Sequence, residues 1–224
     1  MGHRTTFFRQ SKALVDIKTY LHEQLIAEFS STFSGKLCVD SCPIPVAKIS
    51  RQHHNKNLKG YCEVGYCAAQ KEKFYGFRLH AVSSSNGMIL SYTLAPADVD
   101  ERDIVIDTFI HQPHLKDKVC LADKGYICTK RRALARDESF LLTYPTRSNM
   151  KEKNEFTFAM SDERRIIETV FSQLKERFKI HTLRTKTAED FFRKISLILL
   201  AHALIAFHTI SISNNIAFSH FLNF

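Results

Sequence analysis

Two short apolar runs that each end in an aspartate constrain this chain more than any other feature: Leu37-Cys38-Val39-Asp40 and Cys120-Leu121-Ala122-Asp123. Neither run alternates apolar with polar residues, which marks strands covered on both faces. The first strand is expected over Lys36 to Val39, closed by Pro43 and Pro45. The second is expected over Val119 to Ala122, with Gly125 just beyond. If the two strands are parallel neighbours, Asp40 and Asp123 lie side by side at the strands' C-terminal ends. That edge is where open α/β sheets bind ligands. Between the two runs, Tyr75 to Val82 and Met88 to Leu94 read as β-strands. The stretch Ser83-Ser84-Ser85-Asn86-Gly87 joins them as a hairpin turn.

The remaining pattern supplies helices. Residues 5–29 carry Leu14, Ile17, Leu21, Leu25 and Phe29 at spacings of three and four. Helices are also expected over Asp100 to Ile110, Lys130 to Arg136, Asp162 to Phe178 and Ala188 to Phe207, with a strand at Phe140 to Tyr144. Residues 46–73 read as polar, basic and mostly irregular and 145–161 as a polar linker. Hairpin and βαβ elements in this order predict an α/β class fold, an α+β mixed sheet in one domain. A length of 224 residues suits one such domain with a small appendage. We divide the chain into an N-terminal helical segment (1–34), the sheet domain (35–210) and a C-terminal tail (211–224). Ile195 to Ile212 approaches the length of a membrane span but carries His202, His208 and several hydroxyl residues. It reads as a core helix, and no membrane partner is expected.

Lys plus Arg number 32 against 23 Asp plus Glu. An excess of that size favours a polyanionic partner. The span from Lys48 to Lys73 concentrates it, with Lys56 and Lys59 near its middle, and leaves the sheet right after Asp40. It is expected to touch DNA; a solvated excursion is the alternative. No apolar leader follows Met1, so the six cysteines are expected as free thiols in a reducing cytoplasm. A zinc site built from Cys38, Cys42, Cys62, Cys67, His53 and His54 is disfavoured, because no pair has the tight C-x2-C spacing. Nucleotide-binding glycine motifs and the G-x-S-x-G elbow are absent.

The third acid of interest is Glu168. Arg164, Glu168, Phe171 and Lys175 fall at i, i+4, i+7 and i+11 and share a helix face, beside an apolar stripe of Ile167, Val170, Leu174 and Phe178. Glu168 then sits at the margin of the buried face. Singly, a strand-end Asp is often a turn residue and a Glu between two cations is often a surface ion pair. Three such acids together suit phosphodiester chemistry, where two divalent ions about 3.5–4 Å apart activate the attacking oxygen and stabilise the leaving one. Hard carboxylate oxygens favour Mg²⁺ or Mn²⁺. Cations beside the acids, including Lys124, suit DNA phosphates. Arg78 and His80 share a face of the first hairpin strand and could approach the acids; a buried core role for His80 is the alternative.

The segments Val39-Asp40-Ser41-Cys42-Pro43-Ile44-Pro45, Tyr75-Gly76-Phe77-Arg78-Leu79-His80 and Leu121-Ala122-Asp123-Lys124-Gly125-Tyr126 resemble DDE transposases of bacterial insertion sequences, most of all the insertion-sequence 982 family. Arg164-x3-Glu168-x6-Lys175 is similar to the R-x3-E-x6-K part of a signature in related transposases; Ser161 stands where a tyrosine often begins it. The resemblance covers roughly residues 3–210. It implies an RNase H-like fold with Asp40, Asp123 and Glu168 as a catalytic, metal-binding triad for two Mg²⁺ or Mn²⁺ ions. It implies cleavage at element ends and 3′-OH strand transfer into target DNA, in a homo-oligomer on double-stranded DNA at the bacterial nucleoid. Lys175 would contact DNA, and Arg164 would steady Glu168 or a phosphate. Relatives carry a longer helical region before the part matching His3 to Leu14. A shortened copy, inactive or reduced to DNA binding, is therefore one alternative expectation, and an RNase H-like nuclease is another.

Overall fold

In the computed structural model, residues 9–10, 14–33, 35–68, 70–126, 129–146 and 156–213 are described. Helix α1 (Val15–Thr32) leads into strand β1 (Leu37–Ala47). Two 3-10 turns, Ile49–His54 and Lys56–Leu58, precede β2 (Glu63–Cys67). The hairpin of β3 (Glu72–Ser84) and β4 (Ile89–Pro96) follows, then α2 (Glu101–Ile104), which continues as a π-helical turn over Val105–Phe109. Strand β5 (Val119–Leu121), helix α3 (Thr129–Asp137), strand β6 (Leu141–Thr143) and helices α4 (Phe158–Glu176) and α5 (Ala188–Ser213) complete the order.

One six-stranded sheet organises the molecule. Its path is β2-β3-β1-β5-β6, with β4 also on β3. The hairpin strand β3 runs antiparallel to β1, and β5 and β6 run parallel to it. The strands around Cys38 and Cys120 are therefore the expected parallel neighbours, with the hairpin beyond the first. β3 is long enough to serve two partners on its far edge: residues 72–76 pair with β2 and residues 77–83 with β4. Gly76 stands at that handover, where an added Cβ would lie 2.3 Å from the Ile44 carbonyl oxygen. The hairpin turn closes on Gly87, whose φ of 86° suits glycine.

Three expectations are corrected. β1 does not stop before Asp40 but runs on to Ala47, so Asp40 lies inside the strand, opposite Ala81. The stretch 46–73, expected to be mostly irregular, contributes one strand, because β2 joins the sheet edge. The last helices also extend further: α4 begins at Phe158 inside the expected linker, since Thr157 caps it by accepting from the Met160 N–H, and α5 continues to Ser213. Residues 147–155 of that linker lie outside the described residues.

Alternation along β1 divides its side chains between two cores. Leu37 and Val39 face a cluster with Phe29, Phe33, Phe109 and Phe140. Cys38, Cys42 and Ile44 face a second cluster with Ile167, Val170, Leu174 and Leu199 from α4 and α5. Helix α5 is long and apolar enough to cross a membrane by length and composition. Here it buries Phe191, Ile195, Leu199, Ala203 and Ala206 against the sheet.

Candidate active site

The site is built where β1 and β5 part company. Their parallel ladder ends at Cys38 opposite Leu121. Asp40 and Asp123 each lie two residues beyond that last pair, so they flank the opening between the diverging strands. Asp40 keeps its antiparallel pairing to β3 and has a side chain 22% exposed, whereas Asp123 is exposed past the end of β5.

Helix α4 is pinned across this opening by the same face of β1. The period of two places Lys36, Cys38 and Asp40 on α4's side. Lys36 Nζ donates to Glu163 Oε1 at 2.8 Å, Cys38 Sγ lies 3.5 Å from the Glu163 carbonyl oxygen, and Arg164 Nη1 donates to Asp40 Oδ2 at 3.2 Å. One turn on, Glu168 Oε1 accepts from Arg164 Nη2 at 2.6 Å. The Arg164 guanidinium, with a side chain 16% exposed, thus joins two of the three acids. Glu168 keeps a side chain 53% exposed and sits at the helix margin. Phe171, which shares that helical face, is buried in the core, because α4 turns it under toward the sheet.

Burial is the largest influence on Asp40 and pushes its carboxyl up from the usual 3.8 to about 6. The Ser41 N–H, 2.8 Å from Oδ1, and Arg164 pull the other way, while Glu101 and Asp123 add repulsion. Asp40 therefore works against folding at neutral pH. Its folded pKa exceeds its unfolded one, so its favourable contribution is complete below about 3.8 and lost as pH rises through about 6. At about 1.4 kcal/mol per pH unit, the loss reaches about 3 kcal/mol at most. Thermal melts in chelator should show Asp40→Asn gaining on the parent chain between pH 4 and 7. A constant difference across that range would contradict the burial argument.

The other expected cations divide into two groups. Lys175 is half-buried near Cys42, on the same side of the sheet as Asp40. Lys56, Lys59 and Lys124 are exposed. Arg78 faces the opposite side of the sheet, where Nη1 donates to Glu101 Oε1 at 3.0 Å and to Ser41 Oγ at 3.3 Å. It does not reach Asp40 or Glu168. His80 on the same face is buried, and burial, with Arg78 adding to it, pulls its pKa down to about 4.

Glu101, Ser41 and Tyr126 were not singled out from the sequence, yet they border the acids. Ser41 Oγ donates to Glu101 Oε1 at 2.6 Å. The only signal was the acidic start of the helix after β4, and nothing in its spacing shows that it crosses beside Asp40.

Among the described residues no three His, Cys, Asp or Glu side chains are grouped to hold a metal ion as they stand. Burial pushes the Cys38 and Cys42 thiols up to about 12. For the acids the chemistry differs. Asp40 and Glu168 share one cationic partner, Asp123 adds a third hard oxygen donor, and burial leaves Asp40 short of positive charge. Such a donor set fits a hard divalent ion.

Residues 30–188 match the protein family described as Transposase DDE domain. No curated protein and no solved structure matches the chain.

Proposed function

The chain belongs to the Transposase DDE domain family, and on that premise we propose that it cuts DNA at the ends of a mobile element and joins the freed ends to target DNA. The observation that carries this reading is the bridge from Asp40 through Arg164 to Glu168 beside Asp123. It joins residues 40, 164 and 168, and Asp123 lies close enough to Asp40 to repel its charge. Family membership supports DNA as the partner and the RNase H-like character of the mixed sheet. Within that family we propose the insertion-sequence 982 group, on the segments around Asp40, Arg78 and Asp123.

Asp40, Asp123 and Glu168 would hold Mg²⁺ or Mn²⁺, as one or two ions. Bound there, the metal supplies charge stabilisation to the attacking and leaving oxygens. Arg164 holds Glu168 toward Asp40 and neutralises part of their repulsion before DNA arrives. Lys175, on the next turns of α4, offers a cation to a backbone phosphate. In the first step a water oxygen attacks the phosphorus and the 3′ oxygen leaves, taking a proton. In the second, that 3′-OH attacks a target phosphodiester, loses its proton and displaces a new 3′-OH. We place this activity in the bacterial cytoplasm at the nucleoid, with two copies pairing two ends.

Incubating the chain with Mg²⁺ and the DNA flanking its own gene tests the reading. Cleavage followed by joining of the 3′ end to a second duplex is expected. Cleavage without joining would indicate a nuclease, and binding without cleavage a DNA-binding remnant.

The exposed lysines before β2 make a separate prediction. Lys56→Ala with Lys59→Ala should weaken binding to all DNA sequences alike. It should also reduce the slope of log affinity against log salt by roughly 2, since each phosphate contact contributes about 0.9. Unchanged affinity and slope in a salt titration would make this stretch a solvated excursion.

A further inference from the structure

We propose that Glu101 is a positioning residue for the acidic centre, holding the chain beside both aspartates in register. The inference rests on the cation-binding reading of Asp40, Asp123 and Glu168 above. Glu101 opens α2, right after the hairpin, and reaches back to β1. Its Oε1 accepts from Ser41 Oγ at 2.6 Å and from Arg78 Nη1 at 3.0 Å. The backbone N–H of the same Ser41 donates to Asp40 Oδ1 at 2.8 Å. One residue therefore carries both links. Fixing its hydroxyl on Glu101 fixes the peptide that orients the Asp40 carboxylate.

Arg78 makes this arrangement stiff. It donates to Ser41 Oγ at 3.3 Å and to the Tyr66 carbonyl, and its guanidinium lies 5.8 Å from the Phe74 ring centre. The Arg78–Glu101 side chains are 16% and 28% exposed, so the pair is screened less than one in open solvent.

The other oxygen of Glu101 faces the turn that follows Asp123. A Cβ added at Gly125 would lie 3.7 Å from Oε2, ordinary contact distance. Tyr126, next in that turn, is buried, and its hydroxyl has no hydrogen-bond partner among the described residues. After burial itself, Glu101 and Asp40 are the largest influences raising the pKa of that hydroxyl. Glu101 thus bonds the neighbour of Asp40 on one side and lies beside the turn after Asp123 on the other. Groups that orient metal ligands from behind change metal affinity or activity by about 10- to 100-fold when removed.

Mn²⁺ titration of the full chain, followed by calorimetry and by the free-ion spin signal, tests the role without relying on activity. Glu101→Ala is expected to weaken Mn²⁺ binding by about 10- to 100-fold, with a small change in metal-free melting temperature. Glu101→Gln keeps an acceptor for the Ser41 hydroxyl but drops the ion pair, and should fall between. Ser41→Ala cuts the same link from the other end and should reproduce the loss, even if Glu101→Ala fails to fold. Unchanged Mn²⁺ affinity in Ser41→Ala and Glu101→Gln overturns the positioning role. Asp40→Asn separates the two layers. If it too binds Mn²⁺ like the parent, the cation-binding reading itself has failed. If it loses binding while the other variants keep it, only the role of Glu101 has failed.

Discussion

Asp40→Asn, Asp123→Asn and Glu168→Gln are each expected to lower Mg²⁺-dependent DNA cleavage by roughly a thousandfold or more, with DNA binding largely kept. Groups that act as a unit do not contribute separately, so removing one costs nearly as much as removing all. Each substitution keeps the shape of the side chain and removes its charge. Packing should therefore survive, and at Asp40 metal-free stability at neutral pH should rise, because its charge is held against burial. The measurement is cleavage of end-containing DNA by each variant, with melting temperature recorded in chelator. Other acids of α4 serve as controls. Glu163 is committed to Lys36 across β1, and Glu176 accepts from Ser172 at 3.0 Å. If Glu168→Gln cuts like the parent, the third acid is misassigned, and one of those two is next.

Phe77→Ala should produce the largest loss of stability, about 3–5 kcal/mol, the range for deleting a buried aromatic ring. Phe77 is 1% exposed, on β3 where the strand passes from β2 to β4. Its ring stacks on Phe191 at 5.3 Å between centroids and meets Phe192 edge-on at 5.6 Å. Each aromatic contact adds about 0.5–1.5 kcal/mol beyond the area it buries. This cluster seats the start of α5 on the sheet, and α5 in turn packs with α4 in the same core. Urea unfolding measures the effect. A loss under about 1 kcal/mol would mean that the ring is not enclosed as described.

Much of the frame was legible because it depends on local pattern. The two strand-then-aspartate runs identify parallel neighbours, and the serine-rich turn identifies the hairpin. The spacing of Arg164 and Glu168 puts both on one helix face. The boundary of β1 was not legible, and the prolines explain why. Pro43 and Pro45 read as breakers, since proline lacks the N–H that a ladder needs. Yet they share the parity of Ser41, whose N–H turns to the Asp40 carboxylate and not to β3. Beyond Cys38 that edge of β1 has no strand beside it. The missing donors cost nothing there, and the strand continues.

Phe171 shows what spacing leaves open. Its place on a helical wheel beside Arg164 and Glu168 follows from the sequence. Its burial depends on how α4 is rolled against β1, which Lys36, Cys38 and Asp40 set across more than a hundred residues of sequence.

The sequence by itself determined where the two aspartate-bearing parallel strands lie, that Arg164 and Glu168 share one helix face, and that the chain's surplus charge is positive, because each follows from residue type and short-range spacing. Only the tertiary structure decided that Arg164 spans Asp40 and Glu168, that Arg78 faces away from them toward Glu101, and that Ser41 links the two sides of the sheet. Those outcomes depend on where one ladder ends and on which face of β1 meets which helix, and both are fixed by packing between segments far apart in the chain.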